Sequence, residues 1–357
     1  MSNKSIGIIG GGISGLYIAN KLAATNSVTV FEGHHWGGDV QYENVDGKCY
    51  PVSTLYKMPN DQFLDDEIER INIKTEARGT AASKITLPTI ATVMFLLTGF
   101  VSTKFKKLYG FAILLLLLVL VLYTYTTVCF YTLGFGGDNK CNRWYKSISV
   151  DAMFATNPLK LLLDCGFSKI VKDYRSNKSV HFVSKNAMLI DRTSMIVVDE
   201  SNKKYKFDKI IIACKYSDYK DIMELTSSEN TILKNIEYFT FYSTLVKFKP
   251  THRNHTSILE EDKVLGYQKF SYGTDDTVAY LLASHEPLDY LIPHMSYYKQ
   301  YVWQMPIARD RTDKRNINQP TNNIFFIGKE IAGNGINHCM KYASEIIDMI
   351  ELDESIE

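Results

Sequence analysis

The chain has 357 residues, of which 45% are hydrophobic, and a formal net charge of +1 at pH 7. This length predicts two domains of ordinary size, and the apolar content is ample for a large core. Because the chain lacks a basic excess, we expect no nucleic-acid partner.

The six cysteines, at positions 49, 129, 141, 165, 214 and 339, are scattered along the chain with no C-x-x-C pair. Such spacing is typical of free thiols in a reducing compartment and favours neither a disulfide framework nor a zinc site. The sequence shows no N-terminal signal peptide, because its apolar start is interrupted by glycines and belongs to a first strand.

The first forty residues have the pattern of a dinucleotide-binding unit. An apolar run at 6–9 predicts a buried strand, a G-x-G-x-x-G motif follows at once, and a helical pattern leads to a second strand at 28–31 that ends at Glu32. Gly10 permits the tight turn, Gly12 lets the backbone approach a pyrophosphate, and Gly15 lets helix and strand pack closely. The pyrophosphate would lie at the helix N-terminus.

Glu32 indicates which class of nucleotide would bind. Its carboxylate can accept hydrogen bonds from a ribose 2′-OH, which argues against a nucleotide with a 2′-phosphate. The alternative interpretation is a glycine-rich turn in an ordinary α/β domain. The complete context of strand, helix, second strand and terminal acid favours the nucleotide.

Two further segments resemble the flavin amine oxidase superfamily. Gly37 and Gly38 follow the second strand in E-G-H-H-W-G-G-D, although Trp36 and two histidines stand where that family often has an arginine. A second match covers 323–338, where the family closes a strand and a helix N-terminus over the flavin. The resemblance implies FAD rather than NAD. The implied cofactor-binding residues are Gly10, Gly12, Ile13, Ser14, Gly15, Glu32, Gly37, Gly38, Gly328, Lys329, Ile336 and Asn337.

Composition changes abruptly after residue 84. Residues 85–103 and 108–137 carry no charge, and three lysines stand between them. Because a span needs about 20 apolar residues, we predict a hydrophobic membrane insert at 85–137, as a hairpin or as a wedge in one leaflet. The positive-inside rule disfavours the hairpin, and a buried core helix is the alternative to both. We expect membrane lipid as a partner and an FAD domain that faces the cytosol.

Strand patterns return after residue 179, and the uncharged run at 210–213 predicts a strand buried on both faces. Alternating aromatics at 236–248 predict an antiparallel sheet. The predicted fold class is α/β, with a Rossmann-type FAD-binding domain interleaved with an α+β substrate domain that carries the insert. The FAD-binding segments are 1–60, 173–216 and 321–357, and the substrate-domain segments are 61–172 and 217–320.

The resemblance implies hydride transfer from a substrate to flavin N5, and two residues are candidates for catalysis. Many family members place a lysine at N5 through a water. Lys247 is the candidate here, Ser243 and Thr244 are alternative positions, and a solvated strand lysine is the structural interpretation. His338 could bond a flavin carbonyl or simply cap its helix. An aromatic cluster could wall a substrate pocket or form core: Tyr297, Tyr298, Tyr301 and Trp303.

We therefore expect a membrane-associated FAD-dependent oxidoreductase of the amine oxidase type. Its substrate would be a small molecule, and a lipophilic one could reach the site from the bilayer. The alternatives are a flavin-dependent desaturase, isomerase or mutase on the same fold, or a membrane-anchored interaction protein with a vestigial nucleotide site.

Overall fold

The computed structural model describes residues 4–53, 56–57, 62–78, 159–162, 165–249, 263–264, 266–270, 278–308, 314–333 and 336–353. The predicted membrane insert at 85–137 lies outside these residues. Among the described residues, no helix combines the length and the apolar character needed to cross a membrane.

The helices and strands are, in chain order, β1 Ser5–Ile9, α1 Ile13–Leu22, β2 Ser27–Phe31, β3 Tyr42–Val45, β4 Lys48–Pro51, β5 Tyr56–Lys57, α2 Gln62–Arg70, β6 Thr75–Arg78, β7 Leu159–Leu162, α3 Gly166–Arg175, β8 Val180–Val183, β9 Ala187–Asp191, β10 Ile196–Asp199, β11 Lys204–Lys206, β12 Lys209–Ile212, α4 Tyr216–Tyr219, α5 Ser227–Leu233, β13 Ile236–Phe248, β14 Gly266–Phe270, β15 Ala279–Ser284, β16 Met295–Ala308, β17 Ile324–Phe326, α6 Lys329–Ala332 and α7 Ile336–Asp353. Two short 3-10 helices cover Asp289–His294 and Lys314–Ile317.

A five-stranded parallel sheet in the order β17-β12-β1-β2-β8 forms the centre of the molecule. The apolar residues of β1 and β12 are buried, as their continuous apolar runs predict. Leu16 and Ile18 of α1 and Ile346 of α7 belong to the same core. The strands come from three separate parts of the chain, so the predicted interleaved, Rossmann-like α/β fold is confirmed.

A four-stranded antiparallel sheet in the order β14-β15-β13-β16 forms the second layer. Side chains alternate between its two faces. One face, which includes Leu245 and Trp303, packs on Val45 and Tyr50 of the β3–β4 hairpin. The other face, which includes Val246, forms a separate small core. The hairpin therefore connects the glycine-rich start of the chain to this sheet.

Cys49 in β4 and Cys165 before α3 form a disulfide, with Cα atoms 6.0 Å apart. The expectation of free thiols is wrong for this pair. The two cysteines are 116 residues apart in sequence, and only the packing of the hairpin beside α3 brings them together. Cys214 and Cys339 are free, as predicted.

Glu330 in α6 is a buried carboxyl that joins three parts of the fold. Its Oε2 accepts a hydrogen bond from the backbone N of Tyr216 at 2.8 Å, and its Oε1 accepts one from the hydroxyl of Tyr238 in β13. Burial raises the pKa of Glu330 from its ordinary 4.5 to about 7. The neutral form is therefore the one that stabilises this joint at mildly acidic pH.

We expect replacement of both bridged cysteines by serine to lower the free energy of unfolding by about 2–4 kcal/mol, because the bridge closes a long loop in the unfolded chain. Urea titration with and without reductant measures this loss. Reductant should destabilise the wild type and leave the double variant unchanged. Equal sensitivity of both proteins to reductant would contradict the bridge.

We expect Glu330→Gln to remove a pH dependence of stability. The folded-state pKa lies above the unfolded one, so the neutral carboxyl stabilises the fold at low pH and this contribution is lost as pH rises through about 7. Relative to the variant, the wild type should lose about 2 kcal/mol between about pH 5 and pH 8. Urea titrations at several pH values test this, and parallel pH profiles would refute it.

Candidate cofactor site

The candidate site lies where the carboxyl ends of β1, β12 and β17 meet, the edge at which parallel α/β sheets bind ligands. Gly10 directly follows β1 with a φ of +111°, and a Cβ there would lie 2.8 Å from the carbonyl carbon of Ala213. A Cβ at Gly15 would overlap the carbonyl oxygen of Gly10. Both positions need glycine, as the sequence predicts, because strand, turn and helix pack too closely for a side chain.

Gly12 has a different role, because its backbone faces open space. It is the N-cap residue of α1, with a φ of −68°, and the nearest atom to a Cβ placed there is the Cα of Gly38 at 4.0 Å. The N–H groups of Ile13 and Ser14 lie in the first turn, where intrahelical acceptors are lacking. That turn holds no acidic residue. The arrangement fits an anion close to the backbone.

The glycine pair predicted to pass the phosphates lies directly against the first motif. The N–H of Gly37 donates to the carbonyl of Gly11 at 2.7 Å, and Gly37 pairs with Gly12 in a short parallel bridge. Gly37 and Gly38 have φ values of +99° and +59°, conformations that favour glycine. We call Gly10, Gly11, Gly12, Gly37, Gly38 and Gly328 the glycine cradle.

Glu32 is fixed at the end of β2 by three backbone donors. Its Oε2 accepts from the N–H of Gly11 at 2.8 Å, and its Oε1 accepts from those of His34 and His35 at 2.7 and 3.1 Å. Because a carboxylate has about four lone-pair sites, Glu32 keeps capacity for a ribose hydroxyl. The carboxylate predicted to bind the ribose is thus oriented beside the cradle.

The far motif joins the cradle from the other end of the chain. Gly328 follows β17 with a φ of +102°, and the Nζ of Lys329 lies 2.5 Å from Oδ2 of Asp39 and 2.8 Å from the carbonyl of Gln304. Residues 290 positions apart are therefore in contact. The two motifs are therefore close together, as they must be if both bind the same dinucleotide.

The last helix begins beside the first. Ser14 and the buried Cys339 are hydrogen-bonded through their side chains, and burial raises the pKa of the Cys339 thiol to about 11. Ile336 and His338 are half-buried in the first turn of α7, and the backbone of Asn337 lies between them. The structure thus places these predicted residues at the helix that flanks the cradle.

Sequence reasoning missed a stack behind the cradle. Trp36 lies on Gly11, where a Cβ would come within 2.5 Å of the indole, and the guanidinium of Arg175 lies 4.0 Å from the indole centroid. Burial lowers the pKa of Arg175, and its Nε has no hydrogen-bond partner among the described residues. The tryptophan in place of an arginine was the only sequence signal, because Arg175 comes from a distant segment.

Lys247, the candidate for catalysis, forms an ion pair with the β3–β4 hairpin. Its Nζ lies 2.7 Å from Oδ2 of Asp46 at the tip of the β3–β4 hairpin. Burial acts to lower the pKa of Lys247, but the hydrogen bond to Asp46 and the electrostatic interactions with Tyr50 and Asp46 together raise the pKa overall. The lysine therefore holds the hairpin tip as a cation.

Ser243, the alternative position, lies four residues earlier in β13, about 13 Å along the strand. Its hydroxyl donates to the carbonyl of Val52 at 2.5 Å and accepts from Nε1 of Trp303 at 2.7 Å. It is therefore at the open end of the hairpin, the end that leads back to the glycine pair. Thr244 points to the opposite face and contacts Gln300.

The predicted aromatic wall is divided between the two faces of the sheet. Tyr297, Tyr301 and Trp303 share the face covered by the hairpin, and Tyr301 stacks on Trp303 with centroids 6.2 Å apart. Tyr298 is on the other face, where its hydroxyl donates to Asp289 and its ring packs on the small core, as the alternative interpretation predicts for it.

Glu43 adds a carboxylate to the covered face. It lies 2.6 Å from the Nζ of Lys299 and accepts a hydrogen bond from Tyr301. Burial acts to raise the pKa of Glu43, but these hydrogen bonds lower it overall.

A separate cavity of about 390 Å³ lies at the amino end of β17, so it is on the opposite edge of the parallel sheet from the cradle. Arg192, Glu229 and Asn322 are among its lining residues, and Arg192 and Glu229 are paired with each other at 2.5 Å. It is not part of the candidate site. Among the described residues no group of acidic, histidine or cysteine side chains could hold a metal ion.

Comparison with known proteins gives one match to a family model. Residues 8–62 match the model of the NAD(P)-binding Rossmann-like domain. No curated protein sequence matches the chain.

Solved structures with a similar fold include putrescine oxidase (TM-score 0.61, 11% identity, covering 98% of this chain and 99% of that one). Cyclohexylamine oxidase from Brevibacterium oxydans gives a TM-score of 0.63 at 12% identity, covering 98% and 100%. A CLA-producing fatty acid isomerase from P. acnes gives 0.64 at 14% identity, covering 98% and 99%.

These likenesses concern the fold, and the cradle geometry is consistent with the FAD that the sequence predicts. The chain therefore has a Rossmann-like fold that is similar to those of putrescine oxidase and cyclohexylamine oxidase.

Proposed function

We propose that this chain is an FAD-dependent oxidoreductase of the amine oxidase type. The observation that carries the proposal is the glycine cradle, in which two motifs from opposite ends of the chain meet around the open backbone of Gly12. A site for NAD needs only the first motif, whereas FAD in the related folds also uses the last strand and helix. The Asp39–Lys329 contact joins those two parts.

When bound, FAD supplies a two-electron acceptor that takes a hydride equivalent from a substrate C–H bond. The residues of this chain hold and orient it. The first turn of α1 stabilises the negative charge of the phosphates, and the oriented carboxylate of Glu32 accepts from the ribose. Gly37 and Gly38 allow the loop to approach the phosphates without a side chain in the way.

The substrate side of the proposal rests on the four-stranded sheet. Ser243 and Trp303 lie at the open end of the hairpin, with the ring of Tyr301 stacked behind Trp303. We propose that these groups form the wall beside which a C–H next to nitrogen is oriented. Two of the similar structures are amine oxidases by name, which supports this substrate class. His338 remains a candidate for contact with the flavin, and Lys247 has a structural partner instead.

An isomerase acting on a lipophilic substrate is the second candidate. The observation that favours it is the fold likeness to the fatty acid isomerase, which is as close as that to the amine oxidases. The two uncharged runs at 85–103 and 108–137 are a proposed means of membrane association and of access for such a substrate. Net consumption of an electron acceptor with amines would favour the oxidase. Conversion of an unsaturated fatty acid into a double-bond isomer, with no net consumption of an acceptor, would favour the isomerase.

We expect Gly12→Ala to weaken FAD binding by at least about tenfold (1.4 kcal/mol). The new methyl group meets no atom closer than 4.0 Å, so the apoprotein should lose no more than about 0.5–1 kcal/mol through the poorer N-cap. The methyl would instead occupy the place of the phosphates. Titration of apoprotein with FAD, followed by flavin fluorescence, measures the affinity.

Gly7→Ala, in β1 but outside the cradle, is the matched control. Its methyl would lie 2.6 Å from the ring of Phe207, so this variant should lose about 1–3 kcal/mol of apoprotein stability through overpacking. Selective loss of affinity in the first variant and of stability in the second supports the cofactor site. Wild-type protein that is colourless and takes up no FAD would contradict the proposal and favour a vestigial nucleotide site.

A further inference from the structure

Eight residues form a closed ring at the N-terminus of α1. We call them the cradle ring, and in order around it they are Gly10, Gly11, Gly12, Gly38, Asp39, Lys329, Gly328 and Ala213. A Cβ at Gly38 would lie 3.1 Å from the Cα of Gly12, one at Gly328 would lie 3.8 Å from the carbonyl oxygen of Ala213, and one at Gly10 would lie 2.8 Å from Ala213. The Asp39–Lys329 ion pair closes the circle.

The links of the cradle ring differ in how they can open. Those between chain neighbours are peptide bonds. Those from Gly12 to Gly38, and from Ala213 to Gly10 and Gly328, join backbone neighbours whose positions are set by the sheet and by the bridge between Gly12 and Gly37. The ion pair is the one link in this ring made by side chains. Rotation of those side chains opens the ring without moving a strand.

The surroundings of the ion pair keep the loop in place while the pair exchanges. The side chains of Lys329 and Asp39 are 16% and 42% exposed, so solvent reaches both. The carbonyl of Asp39 accepts a hydrogen bond from Ser53, and the Nζ of Lys329 also donates to the carbonyl of Gln304. Lys329 therefore keeps one anchor when Asp39 is released.

The charge of Asp39 also needs an explanation. A carboxylate near a diphosphate weakens anion binding by repulsion, unless a cation neutralises it. Its pairing with Lys329 across the ring supplies that cation.

We propose that the Lys329–Asp39 ion pair is a clasp that retains FAD, closing the cradle ring around its phosphates and opening when the cofactor enters or leaves. The inference rests on the proposed function only in taking FAD as the ligand. The clasp controls the rate of release, and it gives Asp39, which the sequence did not single out, a role beside Lys329.

The test is the rate of FAD release after dilution of the loaded protein, followed by the fluorescence of the free flavin. We expect Asp39→Asn and Lys329→Met each to release FAD about tenfold faster than the wild type. Added salt should speed release from the wild type more than from either variant, because it screens a partly exposed ion pair that both variants lack.

Asp39→Asn separates the clasp from a simpler explanation. If Lys329 only attracted the phosphates, removal of the neighbouring negative charge would slow release of FAD and tighten its binding. Release that is slower than or equal to that of the wild type in Asp39→Asn would therefore overturn the clasp. The charge-exchanged double variant, Asp39→Lys with Lys329→Asp, should restore slow release.

Lys21→Met is the matched control, because it removes a lysine paired with Glu67 at 3.3 Å near the other end of α1. Its release rate should equal that of the wild type, and an equal acceleration would overturn the clasp. Wild-type protein that takes up no FAD contradicts the proposed function and the clasp together. Wild-type protein that binds FAD, with Asp39→Asn no faster, contradicts the clasp alone.

Discussion

The close packing of Ala213 against Gly10 is the constraint on which the rest of this molecule depends. It fixes the carboxyl ends of β1 and β12 at a separation that leaves no room for a side chain at Gly10. Gly328 then completes the edge from the third parallel strand of this group, β17. Because the strand ends converge, the first turn of α1 opens onto the same point as the far motif. The position of the candidate site is thus set by the packing of the sheet.

The β3–β4 hairpin connects the cradle to the four-stranded antiparallel sheet. Its open end contacts Ser243 through Val52, its tip holds Lys247 through Asp46, and its second strand is bridged to Cys165. One short element therefore sets the position of the antiparallel sheet relative to the cradle. The hairpin tip supplies the carboxylate partner of Lys247, so this lysine of β13 is held in an ion pair with Asp46.

The residues that sequence reasoning placed well are those whose role is local. Gly10, Gly12, Gly15 and Glu32 belong to one continuous strand–turn–helix–strand unit, so spacing alone relates them to one another. The residues that it placed poorly depend on contacts between distant segments. The Cys49–Cys165 bridge forms only because the hairpin lies beside α3. The position of Tyr298 follows from the alternation of side chains between the two faces of β16. Arg175 stacks on Trp36 only because α3 passes behind the cradle.

The sequence by itself determined the Rossmann-like α/β fold, the glycine positions and the acid at the end of β2, because short-range backbone sterics and periodicity act within a few residues. The tertiary structure alone decided which side chains meet across hundreds of positions. It paired Asp39 with Lys329, enclosed Glu330 between Tyr216 and Tyr238, and assigned Lys247 to Asp46. Such pairings depend on how the packed layers are placed relative to each other. The sequence pattern within one layer does not specify that placement.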